Sequence, residues 1–429
     1  MQIHVVKSGD SLYSIANIYG TTYQAINEAN ELDNPNQLVV GQSLVIPIIG
    51  QFYYVQPGDN LYSIAQQFNL SYQELAAINN INPNSTLSVG TRLYIPEQEQ
   101  PTIESNAYIE PFGNTVSTTL ENAAEKNTPY LTYLAPFSYR VNRKGNLIAP
   151  PLNNFAAIAN KNDATLMLVV TNLEEGAFSA ELGNLIVTDQ AVQDTLLTDI
   201  IETAKKIGFR DIHFDFEFLP VTAKESYNTF LRKAKDRLAK EGLLMSTALA
   251  PKTSSEQKGE WYEAHDYQAH GEIADFVVLM TYEWGYSGGP PLAVSPIDKV
   301  REVVEYALTE MPASKIMLGQ NLYGYDWTLP YEPGGEYAKA VSPQQAILLA
   351  RDNNVAIEFD QEAQAPFFFY TDKDGKRHEV WFEDARSIQS KFDLIKELNL
   401  RGISYWKLGL AFPQNWLLLE DNFAIKKQK

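Results

Sequence analysis

Cysteine is absent from the 429-residue chain. That excludes disulfide staples and thiolate metal sites, and leaves the redox compartment open. Basic charge is scarce too: 34 lysines and arginines stand against 53 aspartates and glutamates, a formal net charge of −19. Nucleic acid and anionic membranes are therefore excluded as partners, because no basic patch offsets their phosphate repulsion. No apolar run reaches the length of a membrane span. Met1 to Val6 leads directly into a patterned segment, with no basic and apolar leader ahead of it. Any work outside a cytoplasm is expected to involve a route other than a standard signal peptide. Histidine is limited to 5 residues, and no pair has ligand spacing. His265 and His270, either side of Asp266, are expected as helix or loop residues, so neither a metal nor another cofactor is expected.

What is present is an ordinary soluble balance, 45% hydrophobic and 20% charged, with a high aromatic share of 12%. Tyrosine and tryptophan join an apolar ring to a polar tip, and such rings stack on sugars. The length is too great for one small domain and suits a sizeable core with extra modules.

The first hundred residues carry a tandem repeat. Val6, Gly9-Asp10, Leu12-Tyr13-Ser14-Ile15-Ala16, Asn30, Val40-Gly41, Leu44 and Ile46-Pro47 recur as Val55, Gly58-Asp59, Leu61-Tyr62-Ser63-Ile64-Ala65, Asn79, Val89-Gly90, Leu93 and Ile95-Pro96. The offset is constant at about 49 residues, so these are two copies of one unit. Each copy reads strand, Gly-Asp turn, helix, helix, strand, with Ser11 or Asn60 placed to cap the first helix. The pattern resembles the LysM module, a small βααβ domain, and the resemblance implies binding to glycans containing N-acetylglucosamine. The units are assigned to residues 1–49 and 50–97, with residues 98–103 as a linker and 104–429 as a larger domain.

From about Ile103 onward, short apolar strands alternate with amphipathic helices. Strands are predicted at Asn106 to Phe112, Tyr130 to Pro136, Thr165 to Thr171, Asp211 to Phe218, Leu243 to Ala250, Phe276 to Tyr282, Ile316 to Tyr323 and Gly402 to Leu408. The order fits an α/β fold, a (β/α)8 TIM barrel. A hairpin around Asp374-Gly375 forms a small insertion between the last two strands.

One run stands out: Asp211-Ile212-His213-Phe214-Asp215-Phe216-Glu217. Alternation puts Asp211, His213, Asp215 and Glu217 on one strand face. Such a row repels itself and is poorly solvated in an ordinary core. Glu217, ahead of the break at Leu219-Pro220, is expected at the rim, where barrels gather their active sites. Asp215 one step deeper would raise the acidity constant of Glu217. A protonated acid beside an ionised carboxylate is the pairing glycoside hydrolysis uses.

This domain resembles glycoside hydrolase family 18. Asp215-Phe216-Glu217 matches the end of that family's strand-four motif, Met280-Thr281-Tyr282-Glu283 its Met-x-Tyr-Asp motif, and Trp406 its sugar-platform tryptophan. The resemblance implies a retaining, substrate-assisted reaction in which the substrate's own acetamido oxygen attacks the anomeric carbon. Glu217 would protonate the leaving oxygen and then activate water. Asp215 would orient the acetamide, Tyr282 would hydrogen-bond its oxygen, and Trp406 would floor the pocket with Met280 alongside. His213 stands where the family has an inner aspartate; it either orients Asp215 or is a satisfied interior histidine. Glu283 replaces the family's shorter aspartate, and Asp211 is expected to serve structure.

Within the family, the run from Ala269-His270-Gly271 to Gly289-Pro290-Pro291, with Tyr323-Gly324-Tyr325-Asp326-Trp327, resembles the spore cortex-lytic N-acetylglucosaminidases of bacilli. Tyr325, Asp326 and Trp327 become candidate substrate contacts, although Trp327 serves packing equally well. Peptidoglycan strands or muropeptides are then the expected partners, the spore's coat and cortex boundary the expected location, and germination the expected occasion. A non-catalytic glycan-binding protein and a chitinase are the alternatives.

Overall fold

The computed structural model describes residues 1–97 and 99–427. Gln98 of the expected linker and the last two residues of the expected catalytic segment lie outside them. In the first repeat, Gln2–Val5 pairs antiparallel with Ser43–Ile46 around helices Leu12–Tyr19 and Tyr23–Asn30. The second has the same plan, Gln51–Tyr54 against Arg92–Ile95 around Leu61–Gln67 and Tyr72–Ile78. Ser11 and Asn60 close capping boxes with Ser14 and Ser63, each satisfying two backbone donors that the helix leaves free.

The copies differ in what covers them. Val39 joins the apolar cluster of the insertion, and Val45 joins the barrel core. The Ile357 N–H donates to Val40 O at 2.9 Å, and Gln414 Nε2 donates to Asn30 Oδ1 at 2.7 Å and Ser43 O at 2.9 Å. Gly41 makes the approach feasible: a Cβ there would meet Ile357 O at 1.8 Å, and its φ is +85°. Gly90, its counterpart, has nothing within 4 Å. Ser88 and Tyr94 replace Val39 and Val45 in the second copy, and Val89 is 64% exposed. That copy touches the first instead, through Arg92 Nη1 to Ile18 O at 2.9 Å and Tyr19 stacked on Phe52.

A chain starting at Gln100 would therefore uncover apolar surface worth about 1.5–3 kcal/mol for each buried valine contact. Calorimetry is expected to show it melting below the full chain. Equal melting temperatures would mean that the docked repeat contributes nothing to stability.

The larger domain is a closed barrel of eight parallel strands: β1 (Thr102–Ile109), β2 (Tyr133–Pro136), β3 (Thr165–Thr171), β4 (Phe209–Asp215), β5 (Leu244–Leu249), β6 (Phe276–Leu279), β7 (Ile316–Asn321) and β8 (Gly402–Trp406). Neighbours pair in order, and β8 returns to β1 in parallel register. Several expected boundaries move. β1 begins at Thr102, so the last two residues of the expected linker are strand. Tyr130 belongs to a 3-10 turn rather than to β2. β4 stops at Asp215 and β6 at Leu279, which puts Glu217, Met280 and Tyr282 just past strand ends. Alternation alone carried the expectation beyond the last ladder bond, because polar loop residues at a barrel mouth keep the same inward and outward rhythm.

The insertion is larger than a hairpin. Ala365–Thr371 and Arg377–Trp381 do form one, but they sit within a five-stranded antiparallel sheet that includes Gly324–Leu329, Lys339–Val341 and Glu358–Asp360. Helix Pro343–Asp352 packs against it through Ala346 and Ala350.

Candidate active site

Asp215 ends β4, and Glu217 follows two residues later at the C-terminal mouth of the barrel, 5% and 9% exposed respectively. Polar side chains hold the backbone between them. Asn172, just past β3, receives the Glu217 N–H at Oδ1 (3.0 Å) and donates Nδ2 to Glu217 O (2.8 Å). His265 donates Nε2–H to Phe216 O at 2.9 Å, while its Nδ1 accepts the Ala250 N–H at 2.8 Å. Only a neutral imidazole can do both, and burial lowers the His265 pKa to about 4. The acid-bearing turn is thus tied to β3 on one side and β5 on the other.

Burial raises Glu217 well above the usual carboxylate range, and the neighbouring Asp215 adds to the rise. The Trp261 Nε1–H, donated to Glu217 Oε2, opposes it. Burial raises Asp215 as well, and its Oδ1 has no hydrogen-bond partner among the described residues. Two carboxyls this close cannot both ionise easily, so the pair holds a proton near neutral pH. Glu217 is the better place for it.

Around the pair, the buried Tyr282 hydroxyl lies in the field of Tyr108, Asp215, Glu217 and Glu283. Met280, Tyr282 and Tyr323 share an apolar cluster against which Trp261, Tyr325 and Trp406 pack. Trp406 meets Phe137 edge-on at 4.7 Å and Tyr108 at 5.5 Å. Glu283, at φ +68°, accepts the Tyr323 hydroxyl and, at 3.1 Å, that of Tyr325. The tyrosines hold it at the pocket wall, and burial raises its pKa.

Two open readings, at His213 and Trp327, narrow to one, and one expectation, at Asp326, changes. His213 does not contact Asp215 through a hydrogen bond, because both ring nitrogens are occupied: Nε2 by Tyr108 Oη and Nδ1 by Ser246 Oγ, each at 2.8 Å. Ser246 in turn donates to Asp211 Oδ2 at 2.6 Å. Burial lowers His213 to about 3, so it stays neutral and supplies no charge to Asp215. Asp326 binds Tyr370 Oη at 2.7 Å and His378 Nδ1 at 2.8 Å inside the insertion. Trp327 is 2% exposed and donates to Gly289 O. Asp326 therefore braces the insertion from the strand face opposite Tyr325, while Trp327 shares the Tyr325 face, meets its ring edge-on at 5.5 Å and ties the insertion to the loop after β6; of the three, Tyr325 packs against the pocket cluster.

Trp261 and Asn172 escaped the sequence reading. Trp261 lies in an unpatterned loop between Pro251 and Asp266, and only its residue type hints at a sugar-facing ring. Its donor makes a direct prediction. Trp261→Phe removes a bond that favours the Glu217 carboxylate, so the Glu217 pKa rises and the alkaline limb of the pH–rate profile moves to higher pH. An unmoved limb would mean the indole does not tune the acid.

A closed parallel barrel with a buried, proton-sharing carboxylate pair at its C-terminal mouth and aromatic walls defines a glycoside hydrolase. The profile of glycosyl hydrolases family 18 matches residues 105–411, and that of the LysM domain matches residues 4–47 and 53–96. The chain belongs to glycosyl hydrolase family 18. It is 68% identical to the cortical fragment-lytic enzyme of Bacillus subtilis over 428 residues, covering 100% of this chain and 99% of the relative. The corresponding enzyme of Bacillus anthracis is 54% identical over 429 residues, with 100% of both chains covered. The crystal structure of the Bacillus megaterium spore cortex-lytic enzyme SleL superposes with a TM-score of 0.91 at 57% identity, over 100% of this chain and 99% of that one. A Chromobacterium violaceum chitinase shares the barrel fold, at TM-score 0.69 and 22% identity over 75% of this chain and 98% of the other.

Proposed function

We propose that the chain is a retaining, substrate-assisted β-N-acetylglucosaminidase that cleaves the peptidoglycan of the spore cortex, or fragments of it, during germination. The observation that carries this reading is the buried Asp215–Glu217 pair with Tyr282 beside it and Trp406 at the mouth. Glu217 gives its proton to the leaving oxygen. The substrate's acetamido oxygen attacks the anomeric carbon, and Asp215 stabilises the cationic ring that forms while Tyr282 donates to the acetamide. Glu217, now ionised, takes a proton from water as that water opens the ring. Both displacements invert the anomeric carbon, so the β configuration is restored.

The similarity to cortex-lytic enzymes along the whole chain supports the cortex as substrate and the spore as location. Two LysM units on one polymer raise the local concentration of the barrel at its substrate. NMR of the first-formed product tests the mechanism: β anomer is expected, and initial α anomer would overturn substrate assistance.

A further inference from the structure

Asp211, Ser246, His213 and Tyr108 form one unbroken line of hydrogen bonds through the barrel interior. Asp211 and His213 lie on β4, Ser246 on β5 and Tyr108 on β1, and all four are buried. The chemistry of the far end fixes the direction of every bond. An ionised Asp211 only accepts, so the single Ser246 proton goes to Asp211 Oδ2 at 2.6 Å. Ser246 Oγ then accepts the His213 Nδ1–H at 2.8 Å. The neutral imidazole keeps a bare Nε2, which takes the Tyr108 hydroxyl proton at 2.8 Å.

The near end of the line meets the catalytic pair. Burial, and after it the Asp215 charge, keep the Tyr108 hydroxyl protonated. Ser404 on β8 accepts Asn106 Nδ2 at 2.8 Å, which frees its own proton for Tyr108 Oη. Asp215 Oδ1, meanwhile, is buried without a hydrogen-bond partner among the described residues. With its proton committed to His213, the Tyr108 hydroxyl offers Asp215 lone pairs alone.

One proton entering from the mouth reverses the whole line, and the transfers balance. Tyr108 gains the incoming proton and passes its own to His213 Nε2. His213 passes its Nδ1 proton to Ser246, and Ser246 passes its proton to Asp211. The imidazole ends neutral, as the other tautomer. Tyr108 now accepts from both His213 and Ser404, so its new proton points outward to the unpartnered Asp215 oxygen.

We infer that Asp211 is a positioning residue for the catalytic carboxylate: ionised, it turns the Tyr108 hydroxyl away from Asp215, and protonated, it turns the hydroxyl toward it. Burial raises the Asp211 pKa, Asp275 and Glu104 add to the rise, and Ser246 and Arg401 oppose it. Tyr133 is the remaining titratable group that faces it. Asp215 is faced by Glu217, Tyr108, Tyr227 and Tyr282. A proton taken up at the barrel floor thus becomes a donor at the mouth, which favours the Asp215 carboxylate as the medium turns acid. The inference rests on Asp215 being the carboxylate that serves the reaction.

Nitrogen NMR of the full chain, with the His213 signals assigned from His213→Gln, reads the direction of the line. A neutral Nδ1–H ring is expected at alkaline pH, changing to a neutral Nε2–H ring as pH falls. One tautomer at every pH at which the fold persists, or an imidazolium, overturns the proposal. Ser246→Ala cuts the line and leaves Nδ1 without an acceptor, so Nε2–H is expected throughout. The Tyr108 proton then stays on Asp215, and the acidic limb of the pH–rate profile moves down by about one unit, the scale of one hydrogen bond to a charged group. In a Tyr108→Phe background the same substitution is expected to leave the limb in place; a shift that persists there, or none in Ser246→Ala alone, contradicts the coupling. Failure of the Asp215 reading shows separately, as full activity in Asp215→Asn.

Discussion

Replacing Glu217 by glutamine is expected to lower kcat on N-acetylglucosaminyl substrates by about 10²–10⁴-fold, the usual contribution of a positioned proton donor, with little change in KM. Glutamine keeps the shape of the side chain and can still accept the Trp261 indole N–H, and the backbone bonds to Asn172 are untouched. What disappears is the transferable proton. Circular dichroism and melting should match the parent, because removing one of two mutually repelling carboxyls relieves a buried charge cost rather than creating one. Activity within a few-fold of the parent would remove Glu217 from the acid role.

Asp215→Asn has the second largest expected effect, about 10²–10³-fold in kcat, the scale of losing one preorganised electrostatic group. The amide cannot offset the positive ring in the transition state. It also alters Glu217 in a direction that can be measured. The Asp215 charge helps to hold the Glu217 proton, so neutralising position 215 lowers the Glu217 pKa and moves the alkaline limb of residual activity to lower pH. That shift is opposite in sign to the one expected for Trp261→Phe. A limb that stays still would mean the two carboxyls do not share a proton. In the parent enzyme, the acidic limb should follow Asp215 as it takes up a proton, and burial moves that limb above the usual carboxylate range.

The architecture was legible where chemistry imposes periodicity. The βααβ repeats declared themselves through Gly-Asp turns and capping residues at constant offset, and the barrel through apolar strands alternating with amphipathic helices. Glu217 and Asp215 stood out as candidates because a row of ionisable groups on an apolar strand has no inexpensive structural explanation. Partners that are distant in sequence were not legible. Trp261 is 44 residues from Glu217 and Asn172 is 45 away, and neither carries a local pattern. His213 shows the converse: its position on the strand was read correctly, but which neighbours would claim its nitrogens depended on Tyr108 and Ser246 from other strands. The insertion sheet was read as a hairpin because its outer strands are as short as Lys339–Val341 and Glu358–Asp360. The docked face of the first repeat was hidden for a related reason. Val39 and Val45 look like ordinary module core until Ser88 and Tyr94 are seen to occupy the same places in the second copy, where Gly90 has nothing within 4 Å.

Mass spectrometry of the products released from cortical muropeptides tests the central claim most directly, since it reads which glycosidic bond is cut. New fragments ending in reducing N-acetylglucosamine are expected, absent when Glu217→Gln replaces the parent enzyme. Fragments ending in reducing muramic acid, or the same fragments from both proteins, would contradict it.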